Sequence, residues 1–184
     1  RIYWADNVHV LSDPPEKAFA YKRGGADRKN LLIDSLSALF QTTQDELVII
    51  SPYFVPGVAG TNWLSEKAKD KSIRILTNSL AATDVILVHS GYYKYRHQLL
   101  KSGIEILELI PDQKQKLAWL GSSSASLHTK AIVIDKKAGF VGSFNFDPRS
   151  TWLNTEMGVF FEQPELPMRS AAPPGGKGTI SVTG

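Results

Sequence analysis

The sequence predicts an α/β fold, a mixed β-sheet flanked by helices. Two observations carry that prediction. Up to Leu109, short runs of β-branched and aliphatic residues alternate with stretches whose apolar residues recur at helical spacing. Beyond Ala125 three apolar runs then follow one another directly, so strands come in succession without intervening helices.

Ile2–Trp4 and Val8–Leu11 read as a strand or strand pair around Asp6-Asn7. Ser12-Asp13-Pro14-Pro15 ends it, and the polar stretch through Lys29, with Gly24-Gly25, reads as a loop. Leu32, Leu36, Leu39 and Phe40 share one helical stripe, placing a helix from about Asn30 to Thr42. Glu46–Ser51 is a buried strand, and the Pro52–Gly60 loop leaves its C-terminal end. A helix over Thr61–Lys71 precedes the strand Ile73–Thr77, which Asn78-Ser79 closes.

Thr83-Asp84 can cap a long helix with Val85, Val88, Tyr92, Arg96 and Leu99 on one stripe, and Tyr93 is read as core beside them. Gly103 stops that helix, and Ile104–Leu109 is the next strand. Pro111–Ala125 is a polar, Ser-rich loop of a length typical of lids and binding loops. The successive strands are Ser126–Asp135, Phe140–Gly142 after a Lys136–Gly139 turn, and Asn154–Phe161.

From Gln163 the composition turns to Pro and Gly, which reads as a disordered tail, truncated or frame-shifted. Residues 1–162 then form one domain and 163–184 the tail.

The chain has 184 residues, 42% hydrophobic and 21% charged, enough for one sizeable core. A net charge of +3 is compatible with an anionic lipid or nucleic acid but too weak to argue for either. With no Cys, disulfides and thiolate metal sites are excluded. No apolar run reaches the roughly 18 residues of a membrane span. Arg1 is not a start methionine, so a cut N-terminus is expected and the absence of a targeting segment carries no weight.

The chemistry concentrates in Ser126–Asp135 and Gly142–Asn145. On a strand, residues two apart share a face, so His128 and Lys130 point one way and Ser143 and Asn145 likewise. An ammonium, a hydroxyl and an amide at adjacent strand ends suit phosphoryl oxygens, and the imidazole suits a nucleophile at phosphorus or an acid/base. Asp135 has the opposite parity and is expected to pair behind the site. Lys and Asn supply the oxyanion stabilisation, so neither a metal nor a cofactor is called for.

His128-x-Lys130-x4-Asp135 followed by Gly142-Ser143-x-Asn145 is similar to the HKD signature of the phospholipase D superfamily. Ser51–Gly57, Thr77–Ser79, Val88–Tyr92, Phe146–Ser150 and Asn154–Gly158 resemble the second half of bacterial cardiolipin synthases, closest to the C-type branch, from about Arg1 to Glu162. The resemblance implies a phospholipase D-like α/β sandwich and phosphatidyl transfer through a phosphohistidine. It places Glu156 as the acidic residue that orients a catalytic imidazole, against the bland reading of a solvent-facing strand Glu.

It also implies a phospholipid partner at the bacterial inner membrane, with this chain peripheral to it. The rival reading, an HKD nuclease using the same residues on nucleic-acid phosphodiesters, is disfavoured, because only Lys136-Lys137 forms a basic pair near the motif. One motif supplies one imidazole. A missing N-terminal half, or a homodimer partner, is expected to bring the second, and without either the domain is inert. Four further substrate contacts are candidates. His89 matches the acceptor-pocket region; Tyr53 and Phe54 touch lipid or pack their loop; Arg149 binds phosphate or pairs with Asp147.

Overall fold

The computed structural model describes residues 4–20, 31–80, 86–109, 127–163 and 180–182. Their elements run β1 (Asp6–Ser12), α1 (Lys17–Ala20), α2 (Leu32–Gln41), β2 (Glu46–Ile50), α3 (Gly57–Lys67), β3 (Ser72–Asn78), α4 (Ile86–Lys101) and β4 (Glu105–Leu109). After these come β5 (Ala131–Ile134), β6 (Ala138–Gly142), α5 (Pro148–Trp152), β7 (Met157–Glu162) and β8 (Ile180–Val182).

Among the described residues the strands form one eight-stranded sheet in the order β1-β7-β6-β5-β2-β3-β4-β8. β2, β3 and β4 are parallel, as their helical crossovers require, and the other neighbours are antiparallel. The sheet is therefore mixed, as the sequence predicts. These directions bring the C-terminal ends of β2, β3 and β6 and the N-terminal ends of β5 and β7 to one end of the sheet.

Leu32, Leu36 and Phe40 of α2, Leu64 of α3, and Tyr92 and Leu99 of α4 share one core with Leu47, Ile49, Ile75, Ile106, Ile132 and Phe140 of the sheet. Alternation sends the intervening residues to the opposite face. There Val10, Val159 and Val141 lie in one cross-strand row, 67%, 38% and 50% exposed, with Met157 beside them.

Several boundaries differ from the sequence reading. α3 starts at Gly57, where Pro56 already has helical dihedrals, and ends at Lys67. α1 lies in the stretch expected as loop, and α5 was not expected; at four and five residues neither is long enough to show a period. The β5–β6 turn centres on Asp135-Lys136, both at positive φ, with the Lys137 N–H bonded to Ile134 O at 3.0 Å. That is a type I′ turn, two places earlier than expected, and it leaves Gly139 inside β6.

Tyr92 is buried, but Tyr93 is exposed rather than core, because adjacent residues on a helix point about 100° apart. Within the stretch expected as tail, Ile180–Val182 pairs with β4, while residues 164–179 lie outside the described residues. So do residues 1–3 and the expected loop at 110–126.

Candidate active site

Residues 127–130 precede β5 instead of belonging to it. β2, the partner of β5, pairs with it only as far as Ile50↔Ala131 and then leaves the sheet through Pro52. His128 and Lys130 thus stand on an irregular extension, not on the strand expected. His128 is exposed, and Lys130 Nζ donates to His128 O at 2.8 Å. Gly142 N–H donates to Lys130 O at 3.2 Å, which sets Ser143 and the residues after it alongside.

The next junction depends on two glycines. Gly142 and Gly158 face each other across β6 and β7. A Cβ on Gly142 would stand 2.4 Å from Met157 O, and one on Gly158 would stand 2.3 Å from the Phe140 ring. That close approach lets Glu156, just before β7, reach Ser143, just after β6.

Glu156 is buried, not solvent-facing. Its carboxylate accepts from the Ser143 hydroxyl through Oε2 and from the Ser150 hydroxyl through Oε1 at 2.8 Å. Ser143 Oγ in turn accepts from Met157 N–H at 3.1 Å. The Ser143 hydroxyl is thereby committed to the protein. Lys130 retains free N–H groups, and the buried Asn145 Oδ1 has no partner among the described residues. Since an amide can turn end for end, Asn145 holds an unused polar group at the site.

Partial burial pushes the Lys130 ammonium below the ordinary lysine range, against the opposing pull of the Glu156 and Asp147 carboxylates. Burial pushes the Asp147 carboxyl up, against the Ser150 and Arg149 backbone N–H donors. Those two bonds, at 2.9 and 2.8 Å, make Asp147 the N-cap of α5, with Pro148 at its first turn.

Asp135, at the far end of β5, accepts from the backbone N–H groups of Gln44, Asp45 and Glu46, each at 2.8 Å. Burial alone would raise its carboxyl, but those donors hold it below the usual range. Phe54 is buried, stacked on Phe146 and edge-on to Tyr92, so of its two readings the structure favours the one that packs the loop, against a lipid contact. Tyr53 is half-buried and its carbonyl accepts from Ser51 Oγ at 2.6 Å. Arg149 is exposed on α5. His89 lies on α4, with its side chain outside the described residues.

Sequence reasoning missed the polar group behind Glu156. Asp13 Oδ2 accepts from Glu156 N–H at 2.8 Å and from Lys17 Nζ at 2.6 Å, and Lys17 Nζ also donates to Ser150 O at 2.7 Å. The pair is buried, at 0% and 2% side-chain exposure. Asp13 followed four residues later by Lys17 is a helical pair spacing, the one local sign of it. Among the described residues no cluster of three or more His, Cys, Asp or Glu could hold a metal ion.

Residues 36–170 match the family described as "Cardiolipin synthase, PLD-like domain". The chain belongs to this family. It is 45% identical over 171 residues to cardiolipin synthase C of Escherichia coli K12, covering 90% of this chain and 35% of that protein. It is 26% identical over 134 residues to cardiolipin synthase A of Proteus mirabilis, covering 73% and 25%. The chain thus spans about a third or less of the relatives it matches.

Among solved structures, phosphatidylserine synthase of Haemophilus influenzae aligns with a TM-score of 0.61 at 17% identity, covering 87% of this chain and 35% of that one. Nuc of Salmonella typhimurium, a phospholipase D family member, aligns at 0.58 and 17%, covering 87% and 84%. At such identities the likeness concerns the fold, which is the phospholipase D-like α/β fold.

Proposed function

We propose that the chain carries one half of a phosphatidyl-transfer site, at which an imidazole attacks the phosphorus of a phospholipid phosphodiester. The N–P bond forms as the P–O bond to the leaving alcohol breaks, and a second imidazole protonates that oxygen. The second imidazole then deprotonates the incoming alcohol, whose oxygen forms the new P–O bond as the N–P bond breaks. An alcohol replaces an alcohol with no other co-reactant. His128 takes one of the two imidazole roles, and the second comes from another part of the protein or from a second copy.

Lys130 and Asn145 hold the phosphoryl oxygens, because the Ser143 proton is engaged by Glu156. With phosphatidylglycerol as acceptor the product is cardiolipin, made at the surface of the bacterial inner membrane. Among the described residues no helix is long and apolar enough to cross that membrane.

The observation that supports this reading is the meeting of His128, Lys130, Ser143 and Asn145 at one sheet end over buried Glu156. The 45% identity to a cardiolipin synthase favours lipid over nucleic acid as substrate. In the complete gene product, His128→Asn is expected to abolish cardiolipin formation from labelled phosphatidylglycerol, while neither form turns over plasmid DNA. Wild-type cardiolipin formation by the variant, or turnover of DNA alone, would overturn it.

A further inference from the structure

We infer that Asn78 is a positioning residue for His128, acting through the backbone of Leu127. Strand order puts β2 between β3 and β5. Ser51 N–H still bonds to Leu76 O at 3.0 Å, after which Pro52, with no N–H, takes the chain out of the sheet. The extension of β5 that carries His128 therefore has no ladder neighbour on that side.

Asn78, the last residue of β3, fills the gap. Its Oδ1 accepts from Leu127 N–H at 2.9 Å and its Nδ2 donates to Leu127 O at 3.2 Å. This is the two-bond exchange of a hydrogen-bonded antiparallel pair, made by a side-chain amide in place of a strand. Asn78 is buried, and its own backbone is fixed opposite Leu109 in the β3–β4 ladder. On the other side of the histidine, Lys130 Nζ holds His128 O and Gly142 N–H holds Lys130 O.

The irregular segment is thus pinned at both ends, and the exposed imidazole stands between the pins. The amide offers a donor and an acceptor side by side at this reach. An aspartate would keep the bond from Leu127 N–H but set a carboxylate oxygen against Leu127 O.

The inference rests on His128 acting at phosphorus, so the experiment compares Asn78→Ala, Asn78→Asp and His128→Asn in the complete gene product on phosphatidylglycerol vesicles. Asn78→Ala is expected to lower kcat by about 10- to 100-fold, the scale of an ångström-sized misplacement, with KM within about twofold. Hydrogen exchange at the Leu127 amide should accelerate in the same variant. Asn78→Asp should fall between alanine and wild type in both readouts, a graded rescue that a loss of folding would not produce. Should the alanine variant fail to fold, the nearly isosteric aspartate decides alone, by slower kcat at unchanged KM.

Unchanged kcat, a loss carried by KM, or undisturbed Leu127 exchange would overturn the assignment. Turnover surviving in His128→Asn would overturn the reading of His128 itself. Loss of turnover in His128→Asn beside a fully active Asn78→Ala would overturn the positioning role alone.

Discussion

At Lys130 the demands of folding oppose those of the proposed chemistry. Partial burial lowers its affinity for a proton below that of an unfolded lysine, although Glu156 and Asp147 pull the other way. A folded value below the unfolded one means that the charged form is disfavoured by folding at neutral pH. That penalty fades as pH rises through the lowered folded value and is gone above the ordinary lysine range. Lys130→Met should therefore abolish phosphatidyl transfer while leaving the thermal midpoint at pH 7 unchanged or higher; a marked drop would make Lys130 a structural residue.

Asp135 is the reverse case. Its carboxylate is held below the usual range by three backbone donors, so its contribution is present above about pH 4 and is lost as pH falls through the lowered folded value. Asp135→Asn should cost about 1–2 kcal/mol in urea unfolding at pH 7. The difference from wild type should shrink as the solution is acidified well below pH 4. An equal difference at both pH values would show that charge is not what Asp135 supplies.

Elements whose signals are local could be read from the chain, and those assembled from distant residues could not. The stripe of Leu32, Leu36 and Phe40 declares α2 by its period, and the short, largely β-branched run Leu47–Ile50 declares β2 by its length and composition. The spacing of His128, Lys130, Ser143 and Asn145 was equally visible, because a motif is itself a sequence pattern. The partnership of Asp13 with Glu156 spans 143 residues, and that of Asn78 with Leu127 spans 49, so no window of sequence contains either. Phe54 stayed open between two readings because a loop aromatic packs wherever tertiary contact places it. Asp147-Pro148 has the residue types of a helix N-terminus, but a five-residue helix has no period that would have marked α5.

The buried pair gives this scale its prediction. Lys17→Met leaves Asp13 charged in the interior, which costs about 3–5 kcal/mol in chemical denaturation. If stability is unchanged, the α1 pair does not hold the β1–β7 junction.

Across the whole molecule the two faces of the sheet are treated differently. Helices α2, α3 and α4 build the core on one face. On the other, Val10, Val159, Val141 and Met157 are exposed on three adjacent strands, and Met157 accepts the Ser143 N–H at the site itself. On the proposed two-imidazole mechanism, an apolar patch beside the end of the sheet that carries His128 would seat whatever brings the second imidazole, since non-directional burial there also places it.

The 184 residues alone should therefore associate with rising concentration, and Val141→Lys with Val159→Lys should return them to monomer without lowering the thermal midpoint. Both side chains project from the exposed patch on that face, so the lysines disturb no core packing. Sedimentation velocity across a concentration series reads the outcome. A monomer at every concentration with the valines intact would mean that the patch seats no second copy. Association that persists in the double variant would move the contact to another surface.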